Sequence, residues 1–284
     1  MSRTAEPLAS GLLFPEGPRW RDGRLYFSDI ADQAVKSVSL DGEVTIVDKL
    51  DDRPSGLGWL PDGRMLVVAM QTRRLLCRDP EGFREHGDLT PYCGGHANDM
   101  VVAEDGRAYV GNIGFDLEAD PLEPRPTCIL VVTPDGRVKP AVDDVMCPNG
   151  MVITPDGGTL IAGESAAARL TAFDIEADGA LTRRRLFADL PGTAVPDGIC
   201  LDAQNAVWVA SPTTHEFLRV REGGEVTDRV SSGGRAAIAC MLGGPDGRTL
   251  FTLSNESTSI GQAVAATGGF IETLQVEVPG AGRP

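Results

Sequence analysis

Four residues with oxygen-bearing side chains stand at one recurring position of the sequence, each directly before an apolar stretch. They are Glu16, Asn98, Asn149 and Asp197. Carboxylate and amide oxygens are hard ligands, and two of each favour Ca²⁺, with Mg²⁺, Mn²⁺ or Zn²⁺ as less selective alternatives. No histidine or cysteine occupies the same position, which argues against a metal that prefers soft ligands. The pattern predicts a divalent-metal site, provided that the fold brings the four residues together.

The recurring position belongs to an internal repeat that is marked by turns. A Pro-Asp-Gly or Asp-Gly pair precedes a short strand-forming run, and this signal returns every 40 to 51 residues. Asp-Gly between two apolar runs is a strong hairpin signal, because both central residues must accept a positive φ. The copies begin at Asp22, Asp62, Asp105, Asp156, the degenerate Gln204 and Asp246. Six units of this length have room for four strands each.

Six four-stranded units with almost no helical periodicity predict an all-β fold, namely a six-bladed β-propeller with antiparallel blades around a central channel. A two-sheet sandwich is the structural alternative, but it would not need a fixed period. We expect a single domain over residues 1–284 whose termini share the last blade. Leu8–Leu13 would pair there beside Phe270–Val278.

The fold explains how the four polar residues could meet. They lie six or seven residues before the turn of their unit, and Ser55 and Ala239 hold the same position in the second and sixth units. Innermost strands line the channel of a propeller, so equivalent residues of successive blades converge on its axis. The alternative is that Asn-Gly and Asp-Gly are ordinary turn residues here, an explanation that does not extend to Glu16.

The second strand of each unit should return to the same rim, where its last residues could contact substrate. Met70, Asn112 and Glu164 are therefore candidate lining residues, and Asp29 and Ser211 hold equivalent positions. For any one of them, a solvated position at the rim is an equally good explanation.

The composition excludes several kinds of partner. The chain has 41 acidic and 26 basic residues, a net charge of −15, so it repels nucleic acids and anionic membrane surfaces. The N-terminus lacks a signal-peptide core and no stretch reaches about 18 apolar residues, which predicts a cytoplasmic protein. Its six widely spaced cysteines should then be reduced rather than form a disulfide or zinc framework. The sequence is compatible with both a monomer and a small homo-oligomer.

Several short motifs follow one another through nearly the whole chain. They are Pro15-Glu16-Gly17-Pro18, Asn98-Asp99, Pro148-Asn149-Gly150-Met151, Pro196-Asp197-Gly198, Trp208-Val209-Ala210 and Leu242-Gly243-Gly244. Together they resemble the regucalcin/gluconolactonase family of calcium- or zinc-dependent lactonases. The resemblance implies that Glu16, Asn149 and Asp197 ligate the metal and that Asp197 is the catalytic base. It also implies that Asn98 lies close to the metal and can touch substrate.

One departure from this family concerns the substrate. Sugar-lactone members usually carry an arginine two residues before the Asn-Asp pair, where this chain has His96. His96 could act as a base or donor, or it could serve packing or a local hydrogen bond. The Pro-rich stretch 113–126 could form a lid or a plain surface loop. Its Phe115, together with Met70 and Met151, indicates a less polar pocket than an aldonolactone needs.

We expect the protein to hydrolyse a lactone or a similar ester. The metal would polarise the carbonyl, Asp197 would take a proton from the attacking water, and Asn98 would position the substrate. One alternative is a propeller that binds calcium or another ligand without catalysis. Another is a propeller esterase that acts on a non-sugar or xenobiotic substrate. The ring of oxygen ligands would be common to all three of these functions, so it does not distinguish between them.

Overall fold

Nearly all regular structure in the protein consists of short β-strands. A computed structural model describes residues 3–116, 119, 121–263 and 267–282. The strands are β1 (Arg3–Thr4), β2 (Glu6–Leu12), β3 (Pro15–Arg21), β4 (Arg24–Asp29), β5 (Ala34–Val38), β6 (Val44–Lys49), β7 (Pro54–Trp59), β8 (Met65–Ala69), β9 (Arg74–Asp79), β10 (Gly82–Asp88), β11 (Ala97–Val102), β12 (Ala108–Asn112), β13 (Thr127–Val132), β14 (Val138–Val145), β15 (Pro148–Ile153), β16 (Thr159–Glu164), β17 (Arg169–Ile175), β18 (Leu181–Asp189), β19 (Ile199–Leu201), β20 (Val207–Ser211), β21 (Glu216–Val220), β22 (Val226–Ser231), β23 (Ala236–Gly243), β24 (Thr249–Asn255) and β25 (Gly269–Gln275). Two 3₁₀ turns, Ile30–Asp32 and Ser165–Ala167, and one short helix, α1 (Ile260–Ala263), complete the described elements.

The strands form six antiparallel blades around one axis. Blades 1 to 4 are β3–β6, β7–β10, β11–β14 and β15–β18; blade 5 is β19–β22, and blade 6 is β23–β25 with β2. The first strand of each blade is the innermost one, and it contacts the innermost strands of both neighbouring blades. The ring is therefore closed, and the predicted six-bladed all-β propeller is confirmed.

The N-terminal segment connects two blades. β2 pairs antiparallel with β25, from Glu6 opposite Thr273 to Leu12 opposite Gly269, and so supplies the outer strand of blade 6. β1 then pairs parallel with β22 at the outer edge of blade 5. One segment thereby holds blades 5 and 6 together.

The hydrophobic core lies between adjacent blades. One cluster joins Leu66 of blade 2 to Met100 and Leu130 of blade 3. Another cluster joins Tyr109 of blade 3 to Phe173 of blade 4. All six cysteines are free and buried. None of the helices in the described residues has the length and apolar character that crossing a bilayer requires.

A β-bulge recurs where the innermost strand begins. In blades 1 to 4 and in blade 6, the pairing of the first strand with the second shifts register at this point. Such a bulge bends the strand and changes the direction of its side chains. Glu16, Asn98 and Asn149 are each the second residue of their strand, so the structure places them in strands and not in turns.

Glycine at the bulge allows neighbouring blades to approach each other near the axis. Gly17 has a φ of 56°, and a Cβ atom there would lie 2.8 Å from the carbonyl oxygen of Ser55 in the next blade. At Gly150, a Cβ atom would lie 2.5 Å from the backbone nitrogen of Ile199. A larger residue at either position would push the innermost strands apart.

Removal of residues 1–12 should destabilise the propeller severely. The deletion takes away β2, including the buried Leu12, and leaves β25 as an unpaired edge strand. Loss of the Leu12 side chain alone should cost about 2–5 kcal/mol. Thermal unfolding followed by circular dichroism measures the effect. Removal of residues 1–4, which affects only β1, is the control and should cost roughly 1 kcal/mol or less. Equal melting temperatures for the two truncations would contradict the closing role of β2.

Candidate metal centre

The four candidate ligands line one cavity at the axis of the propeller. The cavity has a volume of about 250 Å³, and Glu16, Asn98, Asn149 and Asp197 all lie on its wall. The first three come from the bulged starts of β3, β11 and β15, whereas Asp197 lies two residues before β19. Four different blades therefore place one carboxylate or amide each at this point.

A hydrogen bond fixes the orientation of two of these side chains. Asn149 Nδ2 donates to Asp197 Oδ1 over 2.7 Å. The amide nitrogen of Asn149 thus faces Asp197, and its amide oxygen is left free of this hydrogen bond. The arrangement leaves Asn149 Oδ1 to serve as an acceptor for another group.

Two buried oxygens in the cavity have no hydrogen-bond partner among the described residues. They are Asn149 Oδ1 and Glu16 Oε2. A buried acceptor without a partner costs about 1–3 kcal/mol, so native proteins rarely keep one without a reason. Two such oxygens on one small cavity indicate a site for a cation.

The charge of the surrounding channel supports the same interpretation. Arg19 donates to Asp99 Oδ1 over 3.2 Å and also to the carbonyl oxygens of Pro18 and Met100. This ion pair is almost fully buried beside the cavity. When Glu16 and Asp197 are also ionised, one guanidinium faces three carboxylates. Two negative charges then lack a partner, and one divalent cation would neutralise them.

The protonation equilibria reflect this excess of negative charge. Burial raises the pKa of Glu16 well above its usual range, and the charges of Asp99 and Asp197 raise it further. Burial raises the pKa of Asp197 to about 7, against the opposing effect of the Asn149 hydrogen bond. Burial also raises the pKa of Asp99, although Arg19 lowers it. A bound cation would favour the ionised forms of these carboxyl groups.

The described residues of the cavity wall include one thiol, that of Cys147, and no histidine. No group of three or more His, Cys, Asp and Glu side chains is arranged for metal binding within the described ranges, so a metal here would need the asparagines. Cys147 lies on the cavity wall, but burial, with a further contribution from Asp197, raises its thiol pKa to about 12. The donor set fits a hard divalent cation such as Ca²⁺.

The other residues predicted from sequence occupy different places. Met70 lies on the cavity wall. Phe115 is buried behind the wall, where it packs against Ile113 and Cys147. His96 is half-buried, and it is not among the described residues of the wall. Leu117, Glu118 and Asp120, which belong to the stretch considered as a lid, lie outside the described residues.

The structure does not place Asn112 on the cavity wall. Its side chain is fully buried, with Nδ2 donating to the Cys128 carbonyl oxygen over 2.9 Å. Its Oδ1 accepts from the Thr127 hydroxyl over 2.6 Å. The amide therefore holds β12 to β13 and has both of its polar atoms engaged.

Glu164 also lies behind the wall, and it has a structural counterpart in blade 1. Its carboxylate accepts from the backbone nitrogen of Met146 over 2.8 Å and from Arg169. Asp29, at the equivalent end of β4, accepts from the backbone nitrogen of Phe14 over 2.7 Å and from Lys36. Each carboxylate thus anchors the backbone immediately before the strand that carries Asn149 or Glu16.

Sequence reasoning missed part of the channel. Arg19 was not identified because the regular alternation of side chains between the two faces of a strand, counted from Glu16, is interrupted by the bulge. The sequence does not mark this bulge clearly. The contribution of Asp99 was also missed, although it stands next to Asn98. Ile260 lies on the cavity wall in a segment that carries no recognisable motif.

Comparison with known proteins identifies a family and several relatives. The family model described as the SMP-30/Gluconolactonase/LRE-like region matches residues 14–256. A gluconolactonase of Zymomonas mobilis is 24% identical over 282 residues, covering 88% of this chain and 79% of its own. A 6-deoxy-6-sulfogluconolactonase of Pseudomonas putida is 25% identical over 273 residues, covering 93% of this chain and 89% of its own.

A solved structure shares the fold. The calcium-binding protein regucalcin of Agrobacterium tumefaciens superposes with a TM-score of 0.83 at 22% identity, over 100% of this chain and 97% of its own. At this level of identity, the likeness concerns the arrangement of the six blades.

Calcium should stabilise the protein through Glu16. At a Ca²⁺ concentration 100 times the Kd, the gain is about 2.7 kcal/mol, which corresponds to a rise of roughly 5–10 °C in Tm. Glu16→Gln keeps the shape of the side chain and should remove most of this rise. Differential scanning fluorimetry with and without EDTA measures it. Asp178→Asn, which alters an exposed ion pair with Lys139, is the control. An unchanged rise in Glu16→Gln would rule out Glu16 as a ligand.

The pH dependence of stability should reveal the raised pKa of Asp197. Without a cation, the folded protein holds a proton on Asp197 that the unfolded chain releases. The stabilisation is therefore complete below about pH 4 and is lost as the pH rises towards 7. Relative to wild type, Asp197→Asn should gain on the order of 2–4 kcal/mol between pH 4.5 and pH 8. Urea unfolding in EDTA provides the measurement, and parallel pH profiles would contradict the shift.

Proposed function

The chain belongs to the SMP-30/Gluconolactonase/LRE-like family, and we propose that it is a divalent-metal-dependent hydrolase that opens a lactone ring. The observation that carries the metal-dependent part is the pair of buried oxygens without partners, Glu16 Oε2 and Asn149 Oδ1, beside Asp197 in one cavity. Relatives named as lactonases, at 24% and 25% identity over most of the chain, support the lactonase part.

The cation would be held by Glu16, Asn149 and Asp197, with Asn98 as the fourth oxygen ligand or as a substrate contact. When bound, a divalent cation supplies the positive charge that polarises a lactone carbonyl and lowers the pKa of nearby water. Oxygen ligands of this kind favour Ca²⁺, and Zn²⁺, Mn²⁺ or Mg²⁺ are alternatives.

Asp197 is the proposed general base. The Asn149 amide holds Asp197 Oδ1 and so fixes the rotation of the carboxylate. The other carboxylate oxygen would accept a proton from the water that attacks the lactone carbonyl. The same proton would then pass to the ring oxygen as the ester C–O bond breaks. With the cation bound, Asp197 would be ionised at neutral pH and therefore able to accept this proton.

Asn98 is proposed to orient the substrate. It lies on the cavity wall and comes from blade 3, whereas Asp197 comes from blade 5. An amide N–H in this position could donate to the lactone carbonyl oxygen and support the negative charge that develops there. For His96, which is not on the described wall, catalysis stays a prediction.

Lactone turnover should depend on both the cation and Asp197. Proton release from a panel of γ- and δ-lactones, measured with a pH indicator, should stop in EDTA and return with Ca²⁺. Asp197→Asn should lower kcat by about 10²–10⁴, the usual contribution of a general base. Asp178→Asn, on an exposed turn, is the matched control and should leave the rate unchanged.

The outcomes separate the alternative functions. Tight Ca²⁺ binding without turnover of any lactone or ester would favour a non-catalytic calcium-binding propeller. Turnover of simple aryl esters but not of lactones would favour a propeller esterase. Full activity in EDTA would contradict the metal-dependent part of the proposal.

A further inference from the structure

The cavity wall beyond the four candidate ligands is largely apolar. The apolar side chains that line it include Phe14, Ile30, Met70, Ile113, Ile238 and Ile260. They come from blades 1, 2, 3 and 6 and from α1, so the apolar surface extends around much of the wall.

This surface is a packed part of the structure. Phe14, Ile30, Met70 and Ile238 are buried and form one cluster, against which Ile260 of α1 packs. Their positions are fixed by that packing, so the wall is preformed. A preformed apolar wall favours ligands that present hydrocarbon to it.

Few polar groups remain to receive a hydroxylated ligand. Besides the candidate ligands, the described wall carries the hydroxyls of Ser165 and Thr258 and the thiol of Cys147. Ser165 Oγ already donates to the Pro196 carbonyl oxygen over 2.6 Å. No lysine, arginine or histidine is found on the wall as far as it is described.

A polyhydroxylated lactone would fit this wall poorly. Each of its hydroxyls brings a donor and an acceptor that lose water on binding and need new partners. A hydroxyl left without partners lowers affinity by roughly 5- to 150-fold. By contrast, each methylene placed against an apolar wall raises affinity about fourfold.

The volume of the cavity indicates how much of a ligand it can enclose. At about 250 Å³, the cavity is smaller than the 300–1,000 Å³ typical of sites for drug-sized ligands. A ligand that consists of one lactone ring with a short side chain matches this volume.

We infer that the substrate is a small lactone whose ring carries an alkyl or other apolar substituent, and not a sugar lactone. The inference rests on the proposed function, since it places the ester group at Glu16, Asn98, Asn149 and Asp197. The substituent then lies against Ile30, Met70, Ile238 and Ile260. Hydrolysis consumes one water: its oxygen bonds to the carbonyl carbon, the ring C–O bond breaks, and a hydroxy acid leaves.

A chain-length series tests this assignment. The Ca²⁺-loaded protein is assayed by proton release with δ-valerolactone, δ-hexalactone, δ-octalactone and D-glucono-δ-lactone. We expect kcat/KM to rise about fourfold for each added methylene until the cavity is filled. We also expect δ-octalactone to exceed D-glucono-δ-lactone by at least tenfold.

Ile260→Asn tests the wall itself. Ile260 is half-buried at the rim, so the substitution should be compatible with folding. It should lower the ratio of kcat/KM for δ-octalactone to that for δ-valerolactone by about five- to tenfold. Leu40→Asn, at an exposed apolar residue on an outer turn, is the control and should leave the ratio unchanged.

Each result bears on a different claim. If D-glucono-δ-lactone is turned over as well as the best alkyl lactone, the substrate inference is overturned while the proposed hydrolase stands. If no lactone is hydrolysed, the proposed hydrolase fails, and calorimetry with the matching lactams still tests the wall. Tighter binding of the alkyl lactam than of gluconolactam would support the apolar site, and the reverse order would overturn it.

Discussion

The structure depends on one electrostatic constraint, the convergence of carboxylates at the axis of the propeller. Burial raises the pKa values of Glu16, Asp99 and Asp197, and the charges of Asp99 and Asp197 raise that of Glu16 further. The buried Arg19 opposes the rise at Glu16 and Asp99. An uncompensated charge in such surroundings is costly, so the folded protein must either hold protons there or bind a cation. Other carboxylates, among them Glu164 and Asp29, are fully paired within their own blade. At the channel, by contrast, one guanidinium faces three carboxylates.

The surrounding elements bring these groups together. The bulge at the start of the innermost strands directs side chains to the axis, and Gly17 and Gly150 allow adjacent strands to approach closely. Asp29 and Glu164 then anchor the backbone before two of the candidate ligands. Closure of the ring by β2 matters for the same reason, because a site built from four blades needs the ring to be complete.

The sequence predicted the propeller because its turns are local and periodic. Asp62, Asp105 and Asp246 each accept from the backbone nitrogen two residues later, so the same turn recurs and identifies the repeat. The four candidate ligands could be named because each lies six or seven residues before the turn of its unit. A less polar pocket was expected from residues such as Met70, but Arg19, Asp99 and the remaining apolar residues of the wall could not be anticipated, because they depend on the bulge and on contacts between distant blades. For Glu164 and Asn112, the sequence gives the position in the repeat correctly, but their side chains bond to Arg169 and to the Cys128 carbonyl within their own blades.

Crystals grown in the presence of Mn²⁺ and measured at a wavelength with strong anomalous scattering would show whether a cation binds in the channel. We expect one anomalous peak in the channel, with oxygens of Glu16, Asn149 and Asp197 at direct ligand distances, and we expect it to disappear in Glu16→Gln. A channel without a peak at millimolar Mn²⁺ and Ca²⁺, with Glu16 and Asp197 bridged by ordered water or a shared proton, would contradict the proposed metal centre.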